Sequence, residues 1–202
     1  MDGLAASAIR DRVGEPSEVV GGKQLDHLDP HAAAFVAASP FVVLASADGR
    51  GACDSSPRGD APGFVALLDE RRLLIPERKG NKRADTLVNV AETGQLGALF
   101  LVPGVTETLR VNGRARVVED PALLAPLAAR GRVPGLGLLL EAEEVFFHCA
   151  RAFLRSELWN PATWPGERPV PSLGRVISDQ TGGRHDAAAL DAELAEDAHD
   201  LG

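Results

Sequence analysis

The sequence predicts a mainly β fold with flanking helices, built as a small closed or partly closed antiparallel barrel. Three observations carry that expectation. Six or so short apolar runs follow one another between residues 41 and 147. Gly, Pro, Asn and Asp punctuate them at hairpin spacing. Few helical stretches interrupt them, which disfavours the alternating pattern of a parallel nucleotide-binding fold.

The elements follow in chain order. Residues 1–28 mix an Ala-rich helical pattern with Gly14, Pro16, Gly21 and Gly22, as in an extended arm with a short helix. Asp29 and Pro30 supply a helix cap and a first-turn proline for residues 32–38. After Pro40 the chain turns to strands: 41–46, the turn 47–50, and 51–56 form a hairpin, with further strands at 63–68, 72–76, 96–102 and 106–118. Residues 84–90 carry apolar side chains at helical spacing. Residues 121–130 read as a helix, 138–147 as a strand, 148–158 as a helix, 159–171 as a Pro-rich loop bearing Trp159 and Trp164, and 172–180 as a short helix. The last segment is an acidic, Ala-rich helix or a frayed tail. The expected organisation is a helical arm over 1–39, a barrel domain over 40–158, and a C-terminal loop, helix and acidic tail over 159–202.

The charge balance narrows the function classes. The chain of 202 residues carries a net charge of −8. Asp186, Asp191, Glu193, Glu196, Asp197 and Asp200 lie within 186–200, which has no Lys or Arg, so the remainder stands near −2. No basic stripe suited to a nucleic-acid backbone is present. No run of about 18 apolar residues could span a bilayer, and an Arg-Asp-Arg segment stands where a signal peptide would place its apolar centre. A soluble, cytoplasmic protein is expected. Cys53 and Cys149 lack zinc or redox spacing and read as reduced, half-buried packing residues.

The most informative stretch is Arg78-Lys79-Gly80-Asn81-Lys82-Arg83, four cations around a tight turn in an acidic protein. It joins the apolar strand ending Ile75-Pro76 to the helical pattern starting at Ala84. At such a connection the free N–H groups and the positive dipole end of a helix favour an anion, and arginine grips it with paired hydrogen bonds. A solvated charged loop is the plain alternative. A second polar segment, Asp54-Ser55-Ser56-Pro57-Arg58-Gly59-Asp60, brings hydroxyls and a guanidinium to a strand end. Together the two segments suit a phosphate and the polar edge of a ring, unless they are unrelated loops. A third, residues 107–116, alternates apolar and polar side chains as an amphipathic outer strand does; within it Thr108 and Arg110 are placed for a ligand. His27 and His31 are four apart, but Asp29-Pro30 breaks their common face, so no metal site is expected. His148-Cys149 has no identifiable third partner for nucleophilic catalysis, and no catalytic residue is assigned.

Within residues 40–118, the runs "FVVLASADGRG", "SSPRGDAPGFVALLDERRLLIPERKGNKRADTLVNV" and "GALFLVPGVTETLRVNGRARV", in that order, resemble the pyridoxamine 5′-phosphate oxidase-like FMN-binding split-barrel proteins. The likeness is to a branch with an SPRGD…PGNxR…LRVNGRA pattern, and the later "EVFFHCARAFLRSELW" extends it. The resemblance implies a six-stranded antiparallel split barrel that forms a homodimer, with FMN in a groove at the subunit interface. By position, Asn81, Lys82 and Arg83, with Arg78 beside them, match the run that grips the FMN phosphate. Ile75 and Pro76 match the strand beside the flavin, and Ser55, Ser56, Pro57 and Arg58 match the strand end along the isoalloxazine and phosphate. Thr108 stands where the family has a glutamine, with Arg110 next on that strand.

The chain departs from the oxidase itself in three ways. The C-terminal Arg-x-x-x-x-x-Trp type signature is not matched, although Arg155, Trp159 and Trp164 lie in a comparable region. The Arg-x-x-x-x-Lys strand is not reproduced around Ser55 to Arg58, and there is no tyrosine anywhere to serve a substrate phosphate. The resemblance therefore implies FMN and hydride transfer at its N5 with an unidentified small molecule, rather than pyridoxamine phosphate oxidation. A non-catalytic FMN or haem-binding module, a deazaflavin-dependent reductase and an empty structural barrel are the alternatives.

Overall fold

In the computed structural model, which describes residues 3–198, helix α3 (Pro30–Ala38) starts as its sequence dictates. The Asp29 carboxylate accepts the Ala32 N–H at 2.8 Å, and Pro30 fills the first turn. Ahead of it lie α1 (Ala6–Val13) and α2 (Glu18–Gly22), neither with a buried residue. The arm is tied down near its end. Leu25 pairs with Val145, and Asp26 meets Arg71 at 2.7 Å. Hydrogen bonds from His27 and Arg71 hold the Asp26 carboxyl at about 2.

One antiparallel sheet follows, built from β1 (Phe41–Ala47), β2 (Cys53–Gly59), β3 (Ala66–Leu67), β4 (Arg72–Pro76), β5 (Gln95–Leu101), β6 (Thr108–Val118) and β7 (Gly137–His148). Its order is β2-β1-β5-β6-β7-β4-β3. The sheet has seven strands, one within each of the seven segments read as strands, where the resemblance implies a barrel of six. The expected strand over 63–68 shrinks to two paired residues, since Gly63 adopts φ +84° and Phe64 N–H closes a turn onto Ala61. Among the described residues β2 and β3 do not pair with each other, so the barrel is split between them.

The strand patterns explain the two sides of the sheet. In β1 the side chains of Val42, Leu44 and Ser46 are buried in alternation with more exposed neighbours, the signature of one buried face. β4 is buried on both faces: Leu73 and Ile75 join the main core with Leu44, Phe100, Leu109 and Leu140, and Leu74 joins a second cluster with Leu124, Leu127 and Leu139. Between β6 and β7 the register slips at Asn112/Gly113. Only glycine fits there, since a Cβ on Gly113 would lie 1.9 Å from the Glu141 carbonyl oxygen.

Helix α4 (Asp85–Thr93) packs against β1 and ends on Gly94 in the left-handed region. The helix expected over 121–130 is only α5 (Pro121–Leu124) and a single 3-10 turn, Ala125–Leu127. Pro126 lacks the N–H that would continue it. Beyond the sheet come α6 (Arg151–Ser156), α7 (Leu173–Gln180) and α8 (Ala187–Asp197). Trp159 stacks on Phe153 and donates its indole N–H to the Val105 carbonyl at 2.8 Å. Helices α7 and α8 form a packed pair joined through Asp191, which accepts the Gly174 N–H at 2.8 Å. Asp200 of the acidic tail lies outside the described residues. Cys53 and Cys149, expected to be half-buried, are both exposed: the first lies on edge strand β2 and the second just past the end of β7.

Candidate functional site

The split in the barrel opens a groove of about 700 Å³, within the range of small-ligand sites. One wall is edge strand β2. On it Asp54, Ser56 and Arg58 are half-buried, while Ser55 and Pro57 are exposed, as period-two alternation requires. The opposite wall is the segment leaving β4, from Pro76 through the cationic turn to the first turn of α4.

Two charged contacts fix the cationic turn. Arg58 donates to Glu77 at 3.1 Å across the split, with both side chains mostly shielded. Arg78 lies 2.9 Å from Asp60 and donates to the Leu127 carbonyl at 2.8 Å; Asp60 also accepts from Arg130 at 3.1 Å. Burial pushes the Asp60 carboxyl up. The Ala61 N–H, the Arg130 hydrogen bond and the two guanidinium charges together bring it below the usual carboxylate range.

Beyond Arg78 the turn is more open. Asn81 accepts the Arg83 N–H at 3.0 Å, and the Arg83 side chain donates to Asp85 at 2.7 Å, a hydrogen bond that pushes the guanidinium up from its usual value. Lys82 has no side-chain partner among the described residues. Lys82 and Ala84 both hold left-handed backbone, at φ +61° and +58°, a conformation that costs a non-glycine residue about 1–2 kcal/mol.

Helix α4 then starts from Ala84 with no side-chain cap. The N–H groups of Asp85, Thr86 and Leu87 belong to its first turn and have no carbonyl behind them in the helix. Nearby, the Ser56 and Thr86 hydroxyls both donate to Asp54 Oδ2 at 2.9 Å. Five cations and three carboxylates line the groove, an excess of two positive charges. A phosphate monoester carries about −1.5 to −2. The donor set and the charge excess therefore fit an anionic monoester.

Of the residues singled out in the sequence, Ser55, Ser56, Pro57, Arg58, Pro76, Arg78, Asn81, Lys82 and Arg83 line this groove. Three others lie elsewhere. Ile75 is 1% exposed in the main core. Thr108 is buried opposite His148 on the β6–β7 ladder. Arg110, on the same strand, pairs with Glu144 and lies over the Phe146 ring at 5.3 Å. Asp54, Asp60, Glu77, Asp85 and Thr86 are positions in or behind the groove walls to which sequence reasoning assigns no role. Asp54 alone carries a signal, its place two residues before Ser56 and four before Arg58 on one strand face. His27, weighed as a metal ligand, turns to Asp26 at 2.9 Å.

The sequence profile of pyridoxamine 5′-phosphate oxidase matches residues 28–149. No curated protein matches the chain. Among solved structures, a single-residue variant of HupZ from Group A Streptococcus aligns over 60% of this chain and 99% of its own, at 16% identity and a TM-score of 0.50. A Lactobacillus delbrueckii protein named after pyridoxamine 5′-phosphate oxidase aligns over 61% and 98%, at 24% identity and a TM-score of 0.48. An FMN-binding protein from Syntrophomonas wolfei aligns over 57% and 81%, at 10% identity and 0.44. The profile spans more than half of the chain and covers every strand of the sheet, from β1 to β7. On that ground the chain belongs to the pyridoxamine 5′-phosphate oxidase family.

Proposed function

We propose that the protein is an FMN-binding flavoprotein, an oxidoreductase of the cytoplasm that acts as a homodimer on a small molecule. The observation that carries this reading is the convergence on one groove of hydroxyls, a lysine without a partner among the described residues and an uncapped helix start, with an excess of two positive charges. Family membership supports flavin as the occupant.

In this reading Lys82, Arg83 and the first-turn N–H groups of α4 hold the phosphate, and the Ser55 and Ser56 positions of β2 belong to the facing wall. Ordered donors of this kind bind an oxyanion without reorganising. Arg58 lies along the same wall, its charge shared with Glu77, and orients the polar edge of the ring system. Pro76 and Pro57 give apolar surface at the two sides of the groove and keep water from it. Bound FMN supplies hydride transfer at N5, and the protein supplies anchoring, orientation and the local field. Thr108 and Arg110 belong to this reading only through a second subunit, because in one chain they lie apart from the groove.

The absorbance spectrum of the freshly purified protein tests the cofactor, with flavin bands expected. A fluorescence titration tests the anchor. Lys82→Ala with Arg83→Ala is expected to weaken FMN retention by at least about 100-fold, the loss of two charge-assisted contacts at about 1.5 kcal/mol each. Unchanged FMN binding in the double variant rejects the phosphate assignment. Colourless protein that takes up haem or a deazaflavin instead of FMN rejects the cofactor.

A further inference from the structure

Helix α8 carries its acids in an unfavourable place. Its segment from Asp186 to Asp197 holds five carboxylates and no Lys or Arg. Two of them have structural roles: Asp186 caps the helix by accepting the Ala189 N–H at 2.9 Å, and Asp191 accepts the Gly174 N–H from α7. The rest, Glu193, Glu196 and Asp197, gather at the C-terminal end, and the last turn has no basic residue. The negative end of the helix dipole disfavours carboxylates there. One counter-charge stands outside the helix. Asp197 reaches Lys79 of the cationic turn, at 3.8 Å, with both side chains open to solvent. The α7–α8 pair lies beyond the span matched by the family profile. No side chain of α8 is buried.

We propose that the acidic end of α8 is a built-in competitor for the anion site: it rests against the cationic turn when the groove is vacant and is displaced when an anionic ligand binds. The proposal rests on the reading of the turn as a phosphate site. The contact is solvent-exposed and screened, so it is weak enough to exchange with a ligand that makes several charge-assisted hydrogen bonds at once. Its effect is to raise the ligand concentration at which the groove fills, and to make filling depend on ionic strength.

The test uses the full chain with FMN as probe, comparing the unaltered protein with Asp197→Asn and with Glu196→Gln/Asp197→Asn. Removing the acids is expected to tighten FMN binding by about two- to fivefold at low salt, in keeping with weak exposed pairs, and the difference should vanish at high salt. Hydrogen exchange gives the second readout. FMN is expected to slow exchange over residues 79–88 and to speed it over 187–197. Slower exchange at 79–88 with no change in α8, or equal affinity in all three proteins, overturns the competitor and leaves the phosphate site standing. Absence of FMN binding and of any protection at 79–88 in all three proteins overturns both.

Discussion

The Arg58 guanidinium and the Glu77 carboxylate meet at 3.1 Å, bridging β2 and the segment that leaves β4 at the place where the barrel is not closed by backbone hydrogen bonds. A side-chain pair here does what a strand ladder does elsewhere, holding the two walls of the groove at a fixed separation. The pair also reduces the charge that Arg58 presents to a ligand. Glu77→Gln should therefore act in two directions. Stability in urea falls by about 1–2 kcal/mol, because a largely shielded cation loses its counter-charge. Affinity for inorganic phosphate, measured by calorimetry, rises as the groove gains one positive charge.

Asp60 gives a pH signature. Its carboxyl titrates lower in the folded chain than its ordinary value of 3.8. The stability it contributes is therefore full above about pH 4 and is lost as pH falls through the lower folded value. Asp60→Asn should flatten the stability curve in that acid window. It should also lower the plateau at neutral pH by about 3 kcal/mol, since Arg78 is left shielded without its carboxylate. Denaturant melts at a series of pH values check both parts.

At Gly113 the expected outcome is steric. Gly113→Ala places a methyl group against the Glu141 carbonyl at the β6–β7 bulge, and the backbone must part there. A loss of about 3 kcal/mol or more is expected, visible as a thermal midpoint lowered by several degrees.

Ala84 offers the opposite sign. Its left-handed backbone at φ +58° suits glycine, so Ala84→Gly should stabilise the fold by about 0.5–1 kcal/mol with the groove intact. Thermal melts together with an FMN titration check this.

Much of this architecture is legible in the chain itself. Asp29-Pro30 sets the start of α3, the turn at Asp48 sets the first hairpin, and the uninterrupted apolar run Leu73-Leu74-Ile75 marks a strand buried on both faces. Pro126 is legible too, as the residue that stops a helix, but the Leu and Ala spacing around it masks that signal. What sequence spacing does not reveal is pairing across strand edges. The four cations of the turn stand out in the sequence, whereas Glu77, Asp60 and Asp85, which pair with three of the groove's arginines, are ordinary acids until the fold brings them within 3.1 Å. Thr108 and Arg110 show the converse. They share the family's residue pattern with the groove positions, but the β6–β7 ladder carries them to another part of the sheet.

The two-sided burial of β4 has a consequence for how the groove moves. Leu73, Leu74 and Ile75 are each no more than 1% exposed, so the strand has no solvent-facing side from which it can peel away. Its amides should exchange only when the whole domain opens, while those of the adjoining turn exchange through local fluctuation. Ligand entry and exit then disturb a rim a few residues wide above a rigid foundation.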